Sequence, residues 1–212
     1  MSAPQSYYVP VDAGEAEFTE KRSHFLGHVR RVETEAEARA FLDEMRKKYY
    51  DARHNCWCYV LHEDSVVRYG DDGEPQGTAG QPMLNVLQRE GVENVVCVVT
   101  RYFGGVLLGA GGLTRAYAKS AKDALDAAGK ARMRLWSAVT VDCPYPMLER
   151  LKLLAAAHGG TVEGTDFGAA VSIRILLPQE NAAGFDAALT ELSAGTMTAR
   201  REGERFLPGP RE

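Results

Sequence analysis

A glycine-rich segment over residues 104–112 is the part of this sequence best suited to bind an anion. It holds five glycines and lies between an apolar, strand-like stretch and the start of a helical pattern. Free backbone N–H groups and the positive end of a helix dipole both favour a negative ligand at such a junction, and nearby arginine or lysine side chains add charge-assisted hydrogen bonds to phosphate. The spacing fits neither the Walker loop nor the dinucleotide-binding fingerprint, and a close-packed turn between strand and helix is the alternative. The residues predicted to contact phosphate or nucleic acid are Arg101, Tyr102, Gly104, Gly105, Gly109, Gly111, Gly112, Thr114, Arg115 and Lys119.

A second candidate site is the acidic turn, which we define as Asp71, Asp72 and Glu74 within the glycine-rich residues 70–80. Carboxylates at this density are suited to holding a magnesium ion or to proton transfer. Aspartate and glycine are also ordinary turn residues, because the aspartate side chain caps backbone donors, and we favour this second interpretation. No catalytic residue is predicted; if the protein is an enzyme, the acidic turn and His54 are the candidates.

Three further ligand-type side chains alternate along one predicted strand, where His54, Cys56 and Cys58 point to the same side. Zinc sites usually draw paired ligands from turns, and the chain has neither a C-x-x-C nor an H-x-x-x-H pair to complete one. We therefore predict no metal site and no cofactor. Trp57 and Tyr59 occupy the opposite face of the strand, so one of the two faces is expected to belong to the core.

The elements that position these residues follow from hydrophobic periodicity and from helix-capping signals. Thr34 and Glu37 form a capping-box pattern that starts the first predicted helix. A nearly continuous apolar run over 94–102 predicts a central strand that is buried on both sides. The predicted elements of this half are strands over 17–32, 54–62, 65–69 and 94–102, and helices over 34–50, 82–91 and 113–128.

The chain divides near residue 129, because the remainder has its own β-α-β-β-α-β rhythm. That order is the split βαβ, ferredoxin-like arrangement. Strands are predicted over 135–143, 160–163, 169–177 and 197–201, with helices over 146–158 and 180–192. The fold class is therefore α+β, with an N-terminal domain over 1–129, a ferredoxin-like domain over 130–203 and a flexible tail over 204–212.

Composition and charge restrict the function classes. The 212 residues carry 25 basic and 29 acidic side chains, so a uniformly basic nucleic-acid binder is disfavoured while a local basic patch is not. Residues 100–134 hold seven basic and two acidic residues, a local charge of +5. The sequence shows no membrane-spanning run and no signal peptide over 1–10. Four cysteines in apolar surroundings indicate reduced thiols, as expected for a cytoplasmic protein.

Several motifs together resemble one known family. They are DARH over 51–54, DDGEPQGTAG over 71–80, RYFGG over 101–105 and LGAGGL over 108–113. The chain resembles the IMPACT family, in particular its two-domain bacterial members of the YigZ type. The resemblance implies an N-terminal domain like the second domain of ribosomal protein S-five and a C-terminal domain like the last domain of elongation factor G. The chain departs from the family at His24, where relatives often have arginine.

The resemblance implies a role in translation control, with no established catalytic activity. We therefore expect a non-enzymatic module that binds RNA or the ribosome through the glycine-rich segment, with a protein partner in translation control. The alternative is an enzyme acting on a nucleotide or a phosphorylated small molecule, with the acidic turn as its metal or base site. An interaction adaptor in which every glycine is structural is a third hypothesis.

Overall fold

The computed structural model describes residues 7–212, which form two compact units. The first unit extends to Met133 and takes in Pro208–Glu212, and the second is Arg134–Leu207. The domain boundary predicted at residues 129–130 falls where a strand begins, and that strand passes from the first unit into the second. Residues 1–6 belong to the predicted N-terminal domain and to the segment without a signal-peptide pattern, and they lie outside the described residues.

The first unit is a five-stranded antiparallel sheet with helices on both faces. Its elements are β1 (Tyr8–Pro10), β2 (Gly14–Glu20), β3 (Ser23–Arg31), α1 (Glu35–Lys48), β4 (His54–Val60), β5 (Val67–Gly70), α2 (Gly80–Arg89), β6 (Val95–Tyr102) and α3 (Ala110–Ala128). The strand order of this sheet is β2-β3-β6-β4-β5, and β1 is not part of it. Alternate residues of β6 face α1 on one side and α2 with α3 on the other, which explains its continuous apolar run.

Both faces of β4 are buried, whereas the sequence indicated that one of them is. Cys56 and Cys58 lie in the core beneath α2 and α3, and Tyr59 lies in the core beneath α1. His54, Cys56 and Cys58 alternate like a set of zinc ligands, but this alternation is largely that of the residues on the inward face of a central strand.

The first residues of α1 and α3 explain where these two helices begin. At α1, the Thr34 side chain accepts from the Glu37 N–H at 3.2 Å and the Glu37 carboxylate accepts from the Thr34 N–H at 3.4 Å, so the predicted capping box is confirmed. Helix α3 starts at Ala110, earlier than the predicted residue 113, directly after Gly109 with a φ of 71°. Its small buried residues allow β3 to approach closely, since a Cβ on Gly27 would lie 2.6 Å from the Ser120 carbonyl oxygen.

The single strand predicted over 17–32 is wrong, because the chain reverses within it. Strands β2 and β3 pair antiparallel, with Glu20 opposite Ser23. Lys21 and Arg22 form the two-residue turn between them. The pair Lys-Arg is not a turn signature, so the sequence pattern did not reveal the reversal.

The second unit has the predicted order β-α-β-β-α-β. Its elements are β7 (Lys130–Cys143), α4 (Leu148–Ala157), β8 (Thr161–Phe167), β9 (Val171–Pro178), α5 (Ala182–Ser193) and β10 (Ala199–Arg211), of which β7 and β10 also contribute residues to the first unit. Both helices pack on one core with β7 and β9, and β9 pairs antiparallel with β7 and β8. Among residues 7–212, no helix is long and apolar enough to span a bilayer.

The flexible tail predicted over 204–212 is wrong, because β10 continues to Arg211 and pairs with β7. The Trp136 indole N–H donates to the Leu207 carbonyl at 3.1 Å, and the Glu212 N–H donates to the Lys130 carbonyl at 2.8 Å. Two prolines in this segment suggested a loose end, yet a strand at a sheet edge has outward-facing positions that need no N–H donor.

Candidate nucleic-acid interface

A buried ion pair joins the acidic turn to the end of β6. The Arg101 guanidinium donates to the Glu74 carboxylate at 2.7 Å, and the two side chains are only 6% and 4% exposed. The Tyr117 hydroxyl donates to the same Glu74 oxygen at 2.8 Å, and Arg101 also donates to the Ser23 hydroxyl at 3.2 Å. Arg101 was predicted to contact phosphate, and Glu74 was a candidate metal or base residue only if the protein is an enzyme. In the structure each neutralises the other inside the core.

The two aspartates of the acidic turn are bound to backbone N–H groups. The Asp71 carboxylate accepts from Gly77 at 2.8 Å, from Ala79 at 3.1 Å and from Gly80 at 2.8 Å, where α2 begins. The Asp72 carboxylate accepts from the backbone N–H of Asn55 at 2.7 Å. These contacts are the turn chemistry that the sequence favoured over a metal or base site.

The strand side chains next to the turn are also held internally. His54 Nδ1 lies 2.9 Å from the Asp72 carbonyl oxygen, and the Cys56 thiol donates to the Asp71 carbonyl at 2.9 Å. Burial raises the pKa of the Cys56 thiol and of the Tyr117 hydroxyl well above their usual ranges, so both stay protonated and Cys56 is not an activated nucleophile. Within residues 7–212, no three His, Cys, Asp or Glu side chains gather where they could hold a metal ion.

The β2–β3 turn is strained and fixed in place. Lys21 and Arg22 have φ values of 45° and 67°, a left-handed conformation that non-glycine residues adopt at a cost. Gly104 lies against this turn so closely that a Cβ there would be 1.9 Å from the Arg22 carbonyl oxygen. The Gly104 N–H also donates to the Ser23 hydroxyl at 3.3 Å. A glycine of the predicted anion-binding segment therefore holds two cationic residues beside that segment.

Three cationic side chains are among the residues that line a cavity of about 170 Å³ beside the first turns of α3. Its lining includes Lys21 from the turn, Gly112, Arg115 and Lys119 from α3, and Glu20 from β2. Lys119 is ion-paired with Asp123. Among the described residues, no carboxylate forms an ion pair with Lys21, Arg22 or Arg115. Lys21 and Arg115 outnumber Glu20 in this lining, so the cavity is net positive in charge.

The glycine-rich segment itself runs along the outside of the unit. Gly105 and Gly109 have φ values of 84° and 71°, and a Cβ on either would meet nothing within 4 Å. Among residues 7–212, no side chain caps the start of α3, so its first N–H groups are available to an anion. Gly111 and Arg115 are exposed on this first turn and the next.

Two other predicted contacts lie apart from the cavity. The Tyr102 hydroxyl donates to Asp51 at 2.7 Å, and this hydrogen bond raises the pKa of Tyr102 to about 12. Thr114 lines a groove between α2 and α3, with Pro82 and Asn85. Lys21, Arg22 and Ser23 were not predicted from the sequence, because the signal for them was the Lys-Arg pair itself, which also fits a strand.

Two domain models match the chain, and their positions agree with the two units. Residues 21–125 match the Impact N-terminal domain, and residues 141–196 match a domain of unknown function, DUF1949. A two-domain protein of mixed α and β structure with an Impact N-terminal domain is thus the class that these matches define.

Full-length relatives support the same assignment. The chain is 36% identical over 200 residues to the IMPACT family member YvyE of Bacillus subtilis, covering 94% of this chain and 92% of that protein. It is also 36% identical over 180 residues to the IMPACT family member YigZ of Escherichia coli, covering 84% and 88%. A crystal structure of a hypothetical protein superposes with a TM-score of 0.59 at 33% identity, covering 92% of this chain and 96% of the other. The chain belongs to the IMPACT family, as its motifs predicted.

Proposed function

We propose that this protein binds RNA, free or within the ribosome, through contacts to phosphate, and that it acts in translation control without catalysing a reaction. The observation that carries the proposal is the group formed by Lys21, Arg22 and Arg115, which we call the cation cluster. These side chains have no carboxylate ion-pair partner among the described residues. Lys21 and Arg115 line the cavity beside the first turns of α3, and Arg22 is exposed next to Lys21 in the β2–β3 turn. Phosphate oxygens are the natural ligands of such a group.

Binding is favoured over catalysis because the side chains that catalysis would need are already engaged. All three carboxylates of the acidic turn accept hydrogen bonds from the protein itself, and Glu74 is buried against Arg101. A nucleotide-processing enzyme would need at least one of them directed at its substrate. The cation cluster, by contrast, faces outward.

We also propose that the two domains have the folds that the family resemblance implies. The order of elements and the strand order β7-β9-β8, with β10 beside β7, support a ferredoxin-like second domain similar to the last domain of elongation factor G. The sheet of the first unit, with helices on both faces, supports the fold of the second domain of ribosomal protein S-five. We propose that the protein performs this role in the cytoplasm and with a protein partner in translation control.

The test is the salt dependence of RNA binding, measured by fluorescence anisotropy between about 50 and 200 mM salt. Each lost phosphate contact to a single strand should reduce the slope of log K against log salt by about 0.7. Arg115→Gln should therefore weaken binding to RNAs of different sequence alike and lower the slope by about that amount. A matched control is Lys47→Gln, which removes an exposed cation from α1 on the opposite face of the sheet. Equal effects of the two substitutions, or RNA binding without salt dependence, would refute the proposal.

A further inference from the structure

The loop beside the cation cluster carries apolar side chains that the fold does not bury. Phe103 is 44% exposed, Val106 39% and Leu107 82%. The other two residues of 103–107 are glycines, and an exposed apolar group beside polar residues often marks a binding surface. We call these three side chains the apolar tip.

The positions around the apolar tip leave room for a ligand. Gly105 precedes Val106, Gly109 follows Leu108, and a Cβ at either glycine would meet open space. On its inner side, the Phe103 ring lies 5.5 Å from the Arg101 guanidinium carbon, and Arg101 is fixed by Glu74. The ring is thus supported from within and partly uncovered.

The chemistry of these neighbours distinguishes between forms of RNA. A duplex presents phosphates and 2′-hydroxyls to a protein, while its bases stay stacked inside, so an apolar tip would find no apolar surface on it. Unpaired bases present their faces, and a base stacked on an aromatic side chain is a common source of single-strand affinity. The cation cluster attracts phosphate in either form, but the apolar tip is useful only with unpaired nucleotides.

We infer that the site selects single-stranded RNA, or the unpaired loops and ends of structured RNA, with phosphates on the cation cluster and a base on Phe103 beside Leu107. This inference rests on the proposed function and names the form of RNA that the same site takes. It assigns Phe103 and Leu107 to specificity and the cation cluster to affinity for any RNA.

The experiment compares one RNA oligomer with its duplex at the same salt concentration, by fluorescence anisotropy with the full chain. Wild-type protein should bind the single strand more tightly. Phe103→Ala should weaken single-strand binding on the order of tenfold and leave duplex binding within about twofold, whereas Phe103→Tyr should retain the preference because it retains the ring. Leu107→Ser, a change at a side chain that is 82% exposed, should weaken single-strand binding in the same selective way if Phe103→Ala does not fold.

Leu153→Ala is the matched control, since Leu153 is 70% exposed on α4 in the second unit, and it should change neither binding. Equal affinity of the wild type for both RNA forms overturns the inference, as does single-strand binding that is unchanged by both Phe103→Ala and Leu107→Ser. In those cases, salt-dependent RNA binding still supports the proposed function. Absence of salt-dependent binding to either form refutes the proposed function itself.

Discussion

The strained β2–β3 turn makes a prediction that separates stability from binding. Lys21 and Arg22 occupy consecutive left-handed positions in a two-residue hairpin turn, where Asn-Gly is strongly preferred. Replacing them by Asn and Gly should stabilise the protein while removing two charges from the cation cluster. Opposite effects on folding and binding are expected where a strained conformation serves function.

The size of the effect follows from the backbone. A left-handed residue other than glycine costs roughly 1–2 kcal/mol, and glycine at position 22 relieves this but adds roughly 0.5–1 kcal/mol of unfolded-chain entropy. Asparagine at position 21 relieves part of the remaining strain because its short side chain tolerates this region. The unfolding free energy should therefore rise by about 1–2 kcal/mol, which corresponds to about 2–8 °C in Tm for a chain of this size.

The assay is urea and thermal unfolding of the Lys21→Asn, Arg22→Gly double variant beside the wild type, with RNA binding measured on the same preparations. The slope of log K against log salt should fall by about 1.4, as two phosphate contacts to a single strand are lost. A control that changes charge without changing backbone preference is Lys21→Gln with Arg22→Gln, which should lower the slope equally but leave stability unchanged. If the Asn-Gly variant is no more stable than this control, the turn is not strained; if both bind RNA like the wild type, the turn does not contact phosphate.

The remaining predictions concern burial. Glu74→Ala should lower the unfolding free energy by about 3–5 kcal/mol in urea titrations, because it leaves the buried Arg101 charge without its carboxylate partner. Gly104→Ala should cost about 1–3 kcal/mol in the same assay, since the new Cβ meets the backbone of the β2–β3 turn at a distance that forces it to move. Burial lowers the pKa of His28, so its contribution to stability is present above the unfolded pKa of about 6.5 and is lost as pH falls through its lower folded value. His28→Gln should therefore flatten the decline of unfolding free energy between pH 7 and pH 5.

Each of these three predictions has an outcome that would contradict it. Replacement of Arg101 and Glu74 together by apolar residues of similar size should recover much of the loss, and equal loss in the single and double variants would show that the ion pair is not what Glu74 contributes. A Gly104→Ala protein as stable as the wild type would mean that the loop and turn are not in contact. An unchanged pH profile for His28→Gln would assign the acid sensitivity to other groups.

Local chemistry predicted the elements better than their ends or contacts. The α1 capping box and the central position of β6 depend on residues close together in sequence, and both were predicted from the pattern. The β2–β3 reversal was missed because the pair Lys-Arg is not a turn signature. The predicted tail was wrong because its pairing partner, β7, lies far away in the sequence.

The candidate site, too, could be predicted only as far as residues close together in the sequence reveal it. The sequence predicted a binding site in the glycine-rich segment, and the structure leaves Gly105, Gly109 and Arg115 exposed there. It did not identify Arg101 as internal, because its partner Glu74 is 27 residues away and a buried arginine has the same local pattern as an exposed one. Charge counted along a segment likewise does not reveal which cations are already paired in space.

The final strand also has a consequence for how the protein is made. Pro208–Glu212 belong to the first compact unit, although the whole of Arg134–Leu207 precedes them in the chain. Arg211 donates to the Ala127 carbonyl at 3.0 Å and to the Asp12 carboxylate at 3.2 Å, so residues from both ends of the sequence meet there. On the ribosome, where domains usually fold in the order of their synthesis, the first unit acquires its last strand only after the second unit has been translated. A nascent chain arrested before residue 208 would leave the start of β7 without the pairing that residues 208–212 provide, so the first unit is completed only after the whole of the second has been synthesised.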